Sequence, residues 1–156
     1  MTTPASWETL VGDDPVLTIA QDLFTTMIDG EPGHLSPWLA DTPDMDDARY
    51  TWVDVAGPIV TRVMLTAGRA TGENLTRALL VMGAEEPVSD ADFADAIGEI
   101  VNVVGGNIKS LVTSPGALSL PVVAHEAPDM SHGTRLMETY FGWKGAPLGV
   151  SLWALS

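Results

Sequence analysis

Cysteine is absent from this 156-residue sequence. That excludes disulfides, thiol nucleophiles and the usual cysteine-bearing structural zinc sites, and it suits a reducing cytoplasm. Basic residues are scarce: 7 Lys and Arg stand against 21 Asp and Glu, for a formal net charge of −14. Nucleic acids and anionic membrane surfaces are both recognised through basic patches, so neither is an expected partner. No apolar run reaches the ~18 residues that a membrane span needs. The opening stretch, MTTPASWETLVGDD, lacks a basic n-region and an apolar h-region, so it is not expected to be a signal peptide.

What remains is a well-patterned globular chain. Hydrophobic residues make up 46% of it and recur with helical or strand periodicity, which argues against disorder. The length suits one domain over residues 1–156, with 1–13 as a flexible lead-in. Asp14-Pro15 reads as a helix start, and Val16, Ile19, Ala20, Leu23, Met27 and Ile28 form an apolar face that ends at Gly30. Residues 31–49, rich in Pro, Asp and Gly, read as a long connection with a short turn at Trp38-Leu39. Residues 50–55 and 59–65, rich in β-branched and aromatic types, flank Gly57-Pro58 as a hairpin. A second helix is predicted from Glu73 to Met82. Leu118 to Ala124 is extended and interrupted by Pro121, which suggests an edge strand. Residues 134–143 and 147–155 form two more strands about Lys144-Gly145. Runs of strands joined by short turns predict an α+β fold, an antiparallel sheet with two long helices packed on it. The helix-then-hairpin order occurs twice and hints at a weak internal repeat.

The most informative stretch is residues 89–113, SDADFADAIGEIVNVVGGNIKSLVT. As a helix it presents Phe93, Ile97, Ile100, Val104, Ile108 and Leu111 along one stripe. Asp95, Glu99, Asn102 and Gly106 fall on roughly the opposite side. Ser89 is a good N-cap, and Asp90, Asp92 and Asp95 lie near the positive end of the helix dipole. Asn and Gly are poor helix formers, with Gly costing about 1 kcal/mol relative to Ala. Asn102, Gly105, Gly106 and Asn107 nonetheless crowd one window, and Gly105 could instead be a C-terminal cap. The apolar stripe keeps its phase through Ile108 and Leu111, which favours a continuous helix whose glycines admit another surface.

Asp95-x3-Glu99-x2-Asn102, followed by GGNIKSL and SLPVV, resembles the CheC/CheX/FliY phosphatases of bacterial chemotaxis, the CheX branch in particular. The resemblance spans roughly residues 50 to 155. It implies a CheC/CheX-like fold and an enzyme that hydrolyses the aspartyl phosphate of a CheY-like response-regulator receiver domain. By the same resemblance Asn102 would position the attacking water and Glu99 would dock the receiver's Lys. Asp95, Gly105, Gly106 and Pro121 would be binding positions. The protein would carry no cofactor or metal of its own, Mg²⁺ being held by the receiver, and homodimers formed through the sheet are implied. Two departures stand out. The family's Pro lies farther from its Asn than Pro121 lies from Asn102, which implies a shortened loop around residues 114–116. Two-site members repeat the Glu and Asn on their first helix, where this chain has Asp14, Thr18 and Gln21, so one active face per chain is expected.

Two other readings compete. The same face could bind a phosphorylated receiver without catalysis, as a scaffold in two-component or flagellar signalling. Alternatively, His125, Glu126, Asp129 and His132 could form a metal or hydrolase site, although their spacing matches no helical His-x3-His pattern and a polar surface loop is favoured. The 5 Trp and 7 Met are scattered without a cofactor-like pattern and read as packing residues.

Overall fold

The structure is a computed structural model in which residues 15–112 and 114–155 are described. Helix α1 (Pro15–Leu23) opens into a wider π-type turn over Phe24–Asp29 and stops at Gly30, whose φ of 72° is left-handed. A short strand β1 (Leu35–Pro37) precedes the hairpin β2 (Ala48–Val55) and β3 (Val60–Gly68). Helices α2 (Arg69–Leu79) and α3 (Asp90–Lys109) follow, then β4 (Val122–Ala124), β5 (Gly133–Trp143) and β6 (Ala146–Leu155). All six strands join one antiparallel sheet in the order β1-β5-β6-β3-β2-β4. That order is symmetric about the β6–β3 pair. Each half supplies a hairpin, and each half's short strand completes the other half's hairpin at the sheet edge.

The inner face of the sheet is lined by alternate residues, among them Val53, Val63, Leu65, Phe141, Leu148, Val150 and Leu152, all buried. The stripe Phe93, Ile97, Ile100, Val104 and Ile108 of α3 packs onto it, as the periodicity predicted, and joins Val16, Ala20, Leu23, Phe24 and Ile28 in one core. Burying each of the Val, Leu, Ile and Phe side chains contributes about 1.5–3 kcal/mol. The outer face is covered by long side chains instead: Arg62 lies 5.0 Å from the Trp52 ring centroid and forms a two-bonded ion pair with Asp54. Among the described residues no helix is long and apolar enough to cross a membrane.

Several predicted boundaries are corrected. The three helices read from the sequence are all present among the described residues, and the corrections concern their ends. The connection over residues 31–49 contains β1, which pairs Leu35 with Trp143. The first helix widens at Phe24, so Leu23, Phe24 and Ile28 turn inward while Met27 is only half-buried. Helix α2 begins at Arg69 rather than Glu73 and ends at Leu79 rather than Met82. The cause of its early start is tertiary. The Arg69 guanidinium bonds Glu73 at 3.2 Å and Asp90 at 3.1 Å and covers the Phe93 ring at 4.4 Å, tying the starts of α2 and α3 together. The chain leaves α2 through Val81, whose φ of 55° is unusual for a β-branched residue. Helix α3 ends at Lys109, so Leu111 lies beyond it and is half-buried. The lead-in over residues 1–13 and the Asp14 cap lie outside the described residues.

Candidate functional site

The site is built on α3, which runs unbroken through Gly105 and Gly106. At its start the Ser89 hydroxyl accepts the Asp92 backbone N–H at 3.1 Å, as the cap reading required. Asp90 and Asp92 stand in the first turn, where the helix dipole favours them. Their presence is explained there. Asp95, a turn further on, is not spent in this way.

Alongside α3 runs the segment after residue 116, held against the outer edge of β2. Leu118 is bridged to Val55, and Val122 pairs with Trp52. Three residues, Ser119, Leu120 and Pro121, therefore face only Val53 and Asp54, so the segment carries one residue too many and bulges. Ser119 pins the bulge: its N–H donates to the Asp54 carbonyl at 2.9 Å, and its hydroxyl accepts the Asp54 N–H at 2.8 Å. Pro121 has no N–H to leave unpaired. It leans on Gly98, where an added Cβ would sit 3.3 Å from the proline Cβ. Helix and bulge thus enclose an open cleft of about 490 Å³, lined by Ala94, Asp95, Gly98, Glu99, Asn102, Leu120, Pro121 and Val123.

Asp95, Glu99, Asn102 and Pro121 are thus brought together, with Pro121 as the facing wall despite the short loop before it. Asp95 and Glu99 are exposed and Asn102 is half-buried. None of the three side chains has a hydrogen bond or ion pair to a described residue. Asn107, one and a half turns beyond Asn102, differs in this respect: its amide donates to the Val103 carbonyl at 2.9 Å. Six of the 7 basic side chains are engaged elsewhere, five of them in ion pairs, namely Arg49, Arg62, Arg69, Arg135 and Lys144. Arg77 bonds Asn74 and a backbone carbonyl, and Lys144 meets Asp29. Among the described residues no cation lines the cleft, so its carboxylates are available to a cation from outside.

The two predicted binding glycines separate. Gly106 is exposed with open space where a Cβ would be. Gly105 is buried, and a Cβ there would come within 2.5 Å of Val53 Cγ2. Its role is to let α3 close on β2, so it is not available to a partner. Gly98 was the glycine beside the site, and sequence reasoning missed it along with Ala94, Leu120 and Val123. Its signal was its place one turn before Asn102. In the loop after β4, Asp129 accepts the Ser131 N–H at 2.9 Å, and this bond holds its carboxyl below the usual carboxylate range. Among the described residues no three His, Cys, Asp or Glu side chains gather as a metal site.

Known proteins share this architecture. The chain is similar to CheX of Vibrio vulnificus at 17% identity and a TM-score of 0.67, over 89% of this chain and 93% of the other. A CheC-like superfamily protein from a Shewanella species superposes with a TM-score of 0.66 at 19% identity, covering 92% and 97% of the two chains. CheX of Borrelia burgdorferi, in a complex with CheY, BeF3 and Mg²⁺, superposes with a TM-score of 0.65 at 14% identity, again covering 92% and 97%. No curated protein matches the chain by sequence. These low identities speak for the fold. The family is fixed by sequence: the family model for the chemotaxis phosphatase CheX matches residues 49–135, from the start of β2 through the cleft helix and bulge into β5. With more than half of its length so matched, this chain belongs to the CheX family of chemotaxis phosphatases.

Proposed function

We propose that the protein hydrolyses the aspartyl phosphate of a CheY-like receiver domain in the cytoplasm, with Asn102 orienting the attacking water. The observation that carries this is an uncommitted amide and an uncommitted carboxylate, Asn102 and Glu99, three residues apart on the same exposed face of a rigid helix. Phosphoryl transfer asks for positioning and electrostatics more than for covalent chemistry. An amide offers both a donor and an acceptor, enough to hold a water in line with the phosphorus. The substrate brings the rest: Mg²⁺ and the phosphoryl group belong to the receiver, in keeping with the BeF3 and Mg²⁺ in the Borrelia CheX–CheY complex.

Glu99 is assigned to docking. A carboxylate pressed against a phosphoryl group would repel it, so Glu99 is not the base. In a cleft whose described lining holds no cation, it instead attracts the receiver's Lys and sets the register of Asn102. Asp95 extends the same acidic surface, Gly106 leaves room for the partner's loop, and Pro121 forms the wall. A non-catalytic receiver-binding module would need the same face and the same Glu99, but it would have no use for the free amide.

The roles separate by substitution. Asn102→Ala should remove catalysis while leaving affinity for a BeF3-activated receiver within about twofold, the scale of a neutral surface change. Glu99→Ala should weaken both. Titration of the activated receiver with each variant reads the binding term alone. Equal loss of affinity in both variants would contradict the division of labour.

A further inference from the structure

We infer that Leu120 is the apolar anchor by which the receiver docks, a role that rests on the receiver-phosphatase reading and adds to it a residue outside the acidic helix face. Leu120 is 86% exposed, whereas Val123, the other aliphatic residue on that wall of the cleft, is half-buried. Single exposed leucines are common and need no explanation. This one differs because its exposure is imposed from both sides. Ser119 is bonded twice to Asp54, and Pro121 is seated on Gly98. The extra residue of the bulge must leave the edge, and Leu120 leaves it toward the cleft that holds Glu99 and Asn102. A bulge beside a site commonly re-aims a side chain in this way. An apolar side chain on a pinned backbone next to two carboxylates gives a docking surface its hydrophobic centre and polar rim, with little backbone left to order. The occupant it fits is a surface with a cation for Glu99 and an apolar patch beside it, which on the present reading is the receiver face that carries the Lys and the phosphoryl group.

Leu120→Ser tests this without adding charge to an acidic cleft. Leu39→Ser is the control: Leu39 is 94% exposed, just beyond β1 at the opposite edge of the sheet, and neither change disturbs the core. Initial rates of dephosphorylation against receiver concentration, titration of the BeF3-activated receiver, and molar mass by light scattering should be measured on the full chain. Leu120→Ser should raise KM and Kd about tenfold, as for removal of a central anchor, with kcat and mass unchanged. Leu39→Ser should match the native protein. Native KM and Kd in Leu120→Ser would overturn the anchor role, as would a fall in kcat alone. A lowered mass with native receiver affinity would also overturn it, assigning Leu120 to self-association. If the native protein binds the activated receiver without hydrolysing any receiver tried, and Leu120→Ser weakens that binding, the anchor stands and the phosphatase reading fails. If the native protein neither binds nor hydrolyses, both fall.

Discussion

Asn102 and Asn107 share a helix, yet one amide is tied to a backbone carbonyl and the other faces an open cleft without a partner among the described residues. Sequence could find the second because Asp95, Glu99 and Asn102 fall in phase on the face opposite an apolar stripe. It could not rank Leu120, because residues 118–124 read as one extended run. The bulge that turns Leu120 outward exists only in the pairing of that run with β2. Pairing also decides the fate of Thr51, which is 1% exposed on the inner face of β2. Its hydroxyl has no partner among the described residues. A buried hydroxyl left unpaired costs about 1–3 kcal/mol, so Thr51→Val, nearly equal in shape, should raise stability by about 1 kcal/mol. Urea denaturation would show this as a higher midpoint at an unchanged m-value, and a lower midpoint would mean that the hydroxyl has a partner after all.

Helix α3 carries two adjacent glycines with opposite tasks, and substitution should separate them. A methyl group at Gly106 meets open space, so Gly106→Ala should gain about 1 kcal/mol from helix propensity alone. A methyl group at Gly105 collides with Val53 on β2, so Gly105→Ala should lose about 1–3 kcal/mol through overpacking. Thermal unfolding of both variants reads the two signs directly, and equal shifts would mean that α3 does not lie against β2 as described. The helix itself was legible in sequence because its cap, its stripe and its length agreed. The pair GG was legible as an anomaly, but which glycine faced the sheet was not, since Gly105 lies midway in phase between the two faces. Helix α2 and strand β1 were misread for a common reason. Residues 69–72 contain Thr and Gly, poor helix formers, and helix there depends on the Arg69 contacts to Asp90 and Phe93. Likewise β1, only 3 residues long, exists through its pairing with β5. Neither contact is local in sequence.

At the scale of the whole molecule, the symmetric strand order gives the weak repeat seen in the sequence a physical form, with α1 and β1 standing where α3 and β4 stand in the other half. The chemistry is not repeated. On α1 the corresponding positions include Thr18 and Gln21, with no carboxylate and amide pair like Glu99 and Asn102. On the proposed mechanism one active face per chain is expected, and disabling Asn102 should leave no second site in reserve. The sheet ends in short strands, β1 and β4, whose outer backbone groups remain open to pairing. The homodimer proposed from the resemblance would use such an edge, and light scattering at micromolar concentration should then give twice the mass of the chain. A clean monomer would contradict that assembly. The central claim is tested most directly by the lifetime of a receiver from the same genome, phosphorylated by a small phosphodonor in the presence of Mg²⁺, with native protein and with Asn102→Ala. The account predicts a shortened lifetime with the native protein and the receiver's own lifetime with the variant. Equal shortening by both would place the chemistry elsewhere than on Asn102, and no shortening by the native protein with any receiver tried would leave a binding module in its place.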